Sequence, residues 1–319
     1  MNSIQNSTKL SKKLYLASPR GFCAGVERAI KIVEQAIKLH GKPVYVKHEI
    51  VHNKHVVKRL SNDGAIFVED LDDIPENANV IFSAHGVAKK ISEEAINNKL
   101  NVFDATCPLV TKVHLEAIKL YNNGYHILLI GHDGHPEIEG TRGQVPEDSI
   151  TLIQTVEEAE TVKAPKKRLA WLSQTTLSVD DTKEIVTTLT ARFNDILGPK
   201  KGDICYATTN RQQAVKEIAP LVEIMLVVGS ENSSNSQRLV EVAQKAGCKK
   251  SFLISDVNFI DWNEVDQIQN IGLSSGASAP ETLIEEIRNK FSERYEIQEI
   301  QNLNIQENVY FKLPKSLDK

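Results

Sequence analysis

Three times along this chain an apolar run leads into a short polar loop that holds a cysteine, and a helical pattern follows. The copies read Ala17-Ser18-Pro19-Arg20-Gly21-Phe22-Cys23-Ala24-Gly25, Phe103-Asp104-Ala105-Thr106-Cys107-Pro108 and Asp203-Ile204-Cys205-Tyr206-Ala207-Thr208-Thr209-Asn210. A second polar loop carries His52, His135 and Ser233, which follow the three cysteines by 29, 28 and 28 residues. A third stands at Ser83-Ala84-His85-Gly86, Ser173-Gln174-Thr175-Thr176 and Ser274-Ser275-Gly276-Ala277-Ser278. A register this constant marks a repeated supersecondary unit, and the chain is predicted to consist of three similar α/β units.

Leu14-Tyr15-Leu16, Val44-Tyr45-Val46, Val80-Ile81-Phe82, Ile127-Leu128-Leu129-Ile130 and Met225-Leu226-Val227-Val228 are short, continuous apolar runs, the pattern of parallel strands buried on both faces. Between them Val26, Ile30, Val33 and Ile37, and later Val215, Ile218, Leu221 and Val222, recur at helical spacing. Alternating strands and helices predict an α/β fold with mostly parallel sheets. In such sheets ligands gather beyond the carboxyl ends of strands. Three units facing one another around a pseudo-threefold centre would bring the three cysteines and the polar loops together.

The 38 basic and 42 acidic residues leave a net charge of -4, so no long-range positive field recommends nucleic acid or an anionic membrane as a partner. No apolar stretch reaches the length of a membrane span. Met1 to Lys13 is rich in Ser, Asn and Lys and lacks the apolar run of a secretory signal; it is expected to be a disordered tail. The four cysteines, 23, 107, 205 and 248, show no paired spacing. That argues against a disulfide framework and for a reducing, cytoplasmic setting.

A lone cysteine is more often a small buried hydrophobe than a ligand, but the repeat places Cys23, Cys107 and Cys205 at equivalent strand ends beside helix starts, whose partial positive charge favours thiolate. Cys248 stands at a helix end and is assigned a structural part. Three thiolates suit zinc with an open position, or a four-iron cluster with one iron lacking a protein ligand. The wide spacing does not choose between them; soft, all-sulfur ligation favours iron and sulfur.

The stretch from Gly131 to Gly140, with His132, His135, Glu137 and Glu139, is the densest group of titratable residues. Glu137 is the candidate for proton transfer. Ser233-Ser234-Asn235-Ser236 presents hydroxyl and amide donors at a predicted helix start, an anion site by geometry, and His52, His85, His135 and Ser278 would add donors around the same anion. No Walker-type G-x-x-x-x-G-K-S/T and no G-x-G-x-x-G occurs, so a small phosphate ester or diphosphate fits better than a nucleotide. His48, His55, His114 and His126 receive no role, and Lys163 through Arg168 is expected to be a solvated basic loop. Three other readings stay open on these residues: a zinc-dependent phosphohydrolase with Glu137 as base, a non-enzymatic iron-sulfur or redox sensor, and a cysteine nucleophile with His135 as base.

From about Leu14 to about Pro314 the chain resembles the LytB/IspH family, 4-hydroxy-3-methylbut-2-enyl diphosphate reductases of the methylerythritol phosphate route to isoprenoids. The motifs that carry the resemblance are Pro19 to Val26, His48-Glu49-Ile50-Val51-His52-Asn53, Ser83 to Val87, Asp104 to Pro108, Gly134-His135-Pro136-Glu137, Ser173 to Ser178, Asp203 to Gln212 and Gly276 to Pro280. The resemblance implies a trefoil of three α/β units around a [4Fe-4S] cluster, one per chain, held by Cys23, Cys107 and Cys205, with the open iron binding the substrate hydroxyl. It further implies that His52, His85, His135, Ser233, Ser234, Asn235 and Ser278 hold the diphosphate. Glu137 would supply a proton, with His135 lining the site and Thr175, and less directly Thr176, orienting the hydroxyl end. Electrons would come from a reduced ferredoxin or flavodoxin. The expected boundaries are a first unit at 25–107, a second at 108–201, a third at 202–291 joined by strand residues 14–24, and a C-terminal tail at 292–319.

Overall fold

The structure is a computed structural model that describes residues 9–165, 167–301 and 305–317. Twelve strands occur among the described residues. They are β1 (Ser11–Leu16), β2 (Val44–Lys47), β3 (Ala65–Val68), β4 (Asn79–Phe82), β5 (Asn101–Asp104) and β6 (Tyr125–Ile130), then β7 (Ile150–Ile153), β8 (Arg168–Ser173), β9 (Ile224–Val228), β10 (Lys250–Ile254), β11 (Asn270–Ser275) and β12 (Glu296–Gln301). They form three sheets ordered β10-β9-β11-β1-β12, β3-β2-β4-β5 and β7-β6-β8, and every pairing of these strands is parallel. The α/β class with parallel sheets is the one the apolar runs announce. The chain divides into two compact units, Cys23–Thr209 with Asn308–Lys319, and Met1–Phe22 with Asn210–Glu307.

The second of these units holds the five-stranded sheet, and its core follows from the two-residue period of a strand. Leu14, Leu16, Ile224, Leu226, Val228, Ile271 and Leu273 face one side, under Ile284, Ile287 and Phe291 of the helix Glu281–Arg294. Met225 and Val227 face the other, under Ala214, Val215 and Ile218 and under Leu239 and Val242 of the helix Ser234–Lys245. Cys248 is 2% exposed in that second core, so it packs as a small apolar side chain.

Two stretches expected to be tails carry structure. Residues 1–8 of the N-terminal stretch lie outside the described residues, but β1 begins at Ser11, and Lys12 is buried. Its Nζ donates to the carbonyl oxygens of Val265 (2.9 Å), Asp266 (3.2 Å) and Ile268 and lies 4.9 Å above the Tyr295 ring. Burial lowers its pKa, and Asp266 and Glu223 oppose that shift. At the other end the helix Glu281–Arg294 runs into the expected tail, and Glu296–Gln301 is an edge strand paired in register with β1, Ser11 opposite Glu296. Both were hidden by polar composition: Ile297 and Ile300, three residues apart and so on opposite faces, give the edge strand no apolar stripe to read, and a paired lysine can be buried. Residues 302–304 and 318–319 lie outside the described residues. In the basic stretch 163–168, residue 166 also does, and Arg168 opens β8.

The other unit holds the remaining two sheets. Val80 and Phe82 pack with Leu71, Ile74, Ala95 and Leu100. Ile127 and Leu129 of β6 face Val113, Ala117 and Ile138, whereas Leu128 and Ile130 face Ile153, Leu177, Ile185 and Leu189. Register keeps the strand ends level: Phe82 lies opposite Lys47 and Asp104, and Ile130 opposite Ile153 and Ser173. The loops that follow these ends carry the candidate site.

Candidate functional site

Each of the three repeated cysteines directly precedes a helix: Cys23 before Ala24–His40, Cys107 before Pro108–Asn122, and Cys205 before Tyr206–Ile218. Hydrogen bonds from backbone N–H groups tie the first start to the third, and the second and third to the polar loops. The Ala24 N–H donates to the Tyr206 hydroxyl at 3.1 Å, the Cys107 N–H to the Ala84 carbonyl at 3.0 Å, and the Cys205 N–H to the Thr175 carbonyl at 3.0 Å. Gly25 shows how closely the sulfurs approach. A Cβ there would stand 2.7 Å from the Cys107 Sγ and 3.8 Å from the Cys23 Sγ, so any side chain would displace the thiols.

The Cys205 Sγ lies 3.2 Å from the Thr208 hydroxyl and accepts from the Thr208 N–H at 3.4 Å. Burial, reinforced by Cys23, pushes the Cys107 thiol up to about 12 and the Cys205 thiol up to about 11. Buried thiols of this kind are poor nucleophiles, because the thiolate is the attacking form; a bound metal deprotonates such groups outright. Three sulfurs close enough to raise one another's proton affinity fit a thiophilic metal or an iron-sulfur cluster as the main source of positive charge, with the Arg28 guanidinium also within electrostatic reach of Cys107.

Glu137 is 2% exposed at the first turn of the helix Pro136–Arg142. Both its carboxyl oxygens are used by one residue: Oε1 accepts from the Thr175 N–H at 2.7 Å and Oε2 from the Thr175 hydroxyl at 2.9 Å. Burial raises its pKa to about 7, the Thr175 bonds hold it down, and Asp203 adds to the rise. A carboxyl that changes protonation near neutrality is suited to proton transfer. The Thr176 hydroxyl accepts from the Gln174 amide at 2.8 Å, whose oxygen in turn accepts from the His132 N–H at 3.1 Å; Thr176 thus braces the loop from which Thr175 reaches Glu137.

Three of the histidines of this unit, His52, His85 and His135, form one cluster. The His52 and His85 rings are stacked, 4.1 Å apart and 25° from parallel, and His135 stands edge-on to both at 5.6 and 6.0 Å. His135 caps its helix: its Nδ1 accepts from the Glu137 N–H at 3.1 Å, which leaves the neutral ring's proton on Nε2. Burial lowers the pKa of His85 well below normal and that of His135 to about 3, and the neighbouring histidines add to both shifts. His85 and His135, held neutral by these shifts, can offer ring N–H donors to an anion.

Sequence reasoning missed His48. It directly follows β2 with φ at +62°, its Nδ1 bonds the Glu69 carboxylate at 2.9 Å, and its ring lies 5.7 Å from His52 and 6.1 Å from His85. One ring nitrogen of each of His48, His52 and His85 lies within 4.8 Å of the others. Stacked rings cannot aim two in-plane lone pairs at one ion, so the group suits an anion better than a metal. The signal in the sequence was the four-residue spacing of His48 and His52.

In the unit built on the five-stranded sheet, Ser233 caps the helix Ser234–Lys245, its hydroxyl accepting from the Ser236 N–H at 3.4 Å and the Ser236 hydroxyl at 3.0 Å. Gly229 and Gly276 make room for that serine, since a Cβ on either would overlap its side chain. Ser233, Ser234, Asn235 and Ser278 are all buried. Among the described residues, neither the amide nitrogen nor the amide oxygen of Asn235 has a hydrogen-bond partner. A buried polar group left so is costly and marks a place where something else binds.

A family model described as LytB protein matches residues 14–292. The chain is 56% identical over 306 residues to the 4-hydroxy-3-methylbut-2-enyl diphosphate reductase of Beijerinckia indica, covering 95% of this chain and 96% of that one. It is 54% identical over 308 residues to a protein of that name, numbered 2, from Rhodopseudomonas palustris, covering 96% of each. The solved E-1-hydroxy-2-methyl-but-2-enyl-4-diphosphate reductase of Plasmodium falciparum is similar at a TM-score of 0.92 and 41% identity, over 96% of this chain and 97% of that one. A second solved reductase, described as the terminal enzyme of the non-mevalonate pathway, matches at a TM-score of 0.63 and 31% identity, over 88% and 99%. The chain belongs to the LytB protein family and is an enzyme, an oxidoreductase.

Proposed function

We propose that the chain reduces 4-hydroxy-3-methylbut-2-enyl diphosphate to isopentenyl and dimethylallyl diphosphate, the last step of the methylerythritol phosphate route, in the cytoplasm. Two electrons and two protons enter, the allylic C–O bond breaks, and water leaves. The observation that carries the proposal is Glu137, a carboxyl sealed from solvent, held by two bonds from Thr175 and within electrostatic reach of Cys205.

Cys23, Cys107 and Cys205 would hold a [4Fe-4S] cluster, which when bound supplies the electrons and one iron open to the substrate's oxygen. Glu137 gives its proton to the departing oxygen. Thr175 fixes that carboxyl and, with Thr176, serves the hydroxyl end. On the family resemblance, His52, His85, His135, Ser233, Ser234, Asn235 and Ser278 are assigned to the diphosphate. Their donors are neutral hydroxyls, an amide and imidazoles, which orient an anion without demanding a cationic surface. A reduced ferredoxin or flavodoxin would deliver the electrons, one at a time.

The test is anaerobic purification followed by iron, sulfide and visible absorption measurements with and without substrate. About four irons and four sulfides per chain, a spectrum that changes with substrate, and turnover with reduced methyl viologen are expected. A colourless protein that keeps zinc after cluster reconstitution would overturn the proposal in favour of a hydrolase.

A further inference from the structure

A reductase that draws its electrons from a carrier protein must meet that carrier at the surface, and one groove in the two-sheet unit has the chemistry for such a meeting. It encloses about 620 Å³ and is lined by Lys112, Lys119, Arg168, Lys200 and Lys201 against the single carboxylate of Glu116. Lys119, Arg168, Lys200 and Lys201 are exposed. Leu115 and Leu197, also in its lining, are 61% and 45% exposed. Apolar side chains ringed by charge of one sign make a protein-binding surface with electrostatic selection built in. In a chain whose net charge is -4, this concentration of cations is local.

The groove also lies on the chain segments that lead to two of the three thiols. Lys112 sits five residues after Cys107 on the helix Pro108–Asn122, about 8 Å of axial rise at 1.5 Å per residue. Its Nζ donates to the carbonyl oxygens of Lys201 at 3.0 Å and Gly202 at 3.4 Å and to the Asp203 carboxylate at 3.1 Å. Asp203 is buried, and Cys205 follows two residues later. The groove wall and the thiol loops are therefore one braced piece of structure.

We propose that this groove is the docking surface for an acidic one-electron carrier protein, which reduces the metal centre held by the cysteines. The inference rests on the reductase reading above. Each encounter oxidises one carrier molecule and passes one electron inward, and two encounters supply the pair consumed when the C–O bond breaks and water leaves.

The experiment compares the cluster-bearing wild type with Lys200→Glu/Lys201→Glu and with Lys119→Glu, each driven either by reduced ferredoxin or by reduced methyl viologen, a small cation that needs no docking surface. In the double variant kcat/KM for ferredoxin should fall by about tenfold or more, with Lys119→Glu smaller, and the rate should lose most of its dependence on ionic strength. Viologen-driven turnover and iron content should stay within about twofold of wild type, since exposed lysines far from special contacts contribute little to stability. Ferredoxin-driven rates that match wild type, or equal losses with both reductants, would overturn the docking assignment. A wild type that fails with methyl viologen would instead remove the reductase reading beneath it.

Discussion

Glu137 and Asn235 are both buried polar side chains, 2% and 4% exposed, and they are treated in opposite ways. Both oxygens of the Glu137 carboxyl are bonded by Thr175, whereas the Asn235 amide has no partner at either end among the described residues. The first arrangement is complete without a ligand and fixes a group in position and in proton affinity. The second is incomplete and stores a desolvation cost that a bound anion can relieve. On the proposed roles, the contrast sets a residue that reacts against one that binds, and it predicts that their loss will show in different kinetic constants.

The largest effect is expected at the completed site. Glu137→Gln keeps the shape and the Thr175 N–H bond but cannot donate an acidic proton. Turnover should fall by about 10²–10⁴, the usual contribution of a general acid, with KM changed little and iron content unchanged. A variant that retains wild-type kcat would show that Glu137 is not the proton source, and the comparison would lose its first half.

Asn235→Leu probes the second half with a nearly isosteric apolar group. Without substrate the variant should be as stable as wild type or more so, by up to about 1–3 kcal/mol, because an unsatisfied amide has been removed from the interior. With substrate, a lost hydrogen bond to a charged phosphate should raise KM by about tenfold or more while kcat falls much less. Thermal melts with and without inorganic diphosphate measure the first effect, steady-state kinetics the second. A variant that melts earlier and binds as before would mean that the amide serves the fold.

Much of this was legible before the structure. Apolar runs rich in Val, Ile and Leu exposed β2, β4, β6 and β9, and the recurring loops exposed the thiols, Glu137 and the serine cluster, since a strand end followed by a helix start is written in residue types. What stayed hidden depends on partners distant in sequence. Lys12 reads as tail until its three carbonyl acceptors at Val265, Asp266 and Ile268 are in place. Glu296–Gln301 reads as tail until β1 lies beside it. His48 gains meaning only from Glu69 and the two rings it faces. The orphaned state of Asn235 is a statement about missing partners, which no residue pattern records.

The smallest expected effect tests how Thr175 sets the proton affinity of Glu137. With Glu137 as the proposed proton donor, kcat needs the protonated carboxyl, so with a pKa of about 7 activity should hold at lower pH and decline as pH rises through about 7. The Thr175 hydroxyl donates to the carboxylate and therefore favours its charged form, which holds the pKa down. Thr175→Val removes that bond and leaves the N–H bond at 2.7 Å. The carboxyl should then keep its proton to higher pH. One hydrogen bond contributes about 1 kcal/mol, against about 1.4 kcal/mol for a tenfold change in proton affinity, so the declining limb should move upward by at most about one pH unit. Thr175→Ser, which restores the hydroxyl, should return the limb to its original place. A limb that stays fixed in Thr175→Val, or moves to lower pH, would mean that the group titrating in kcat is not Glu137.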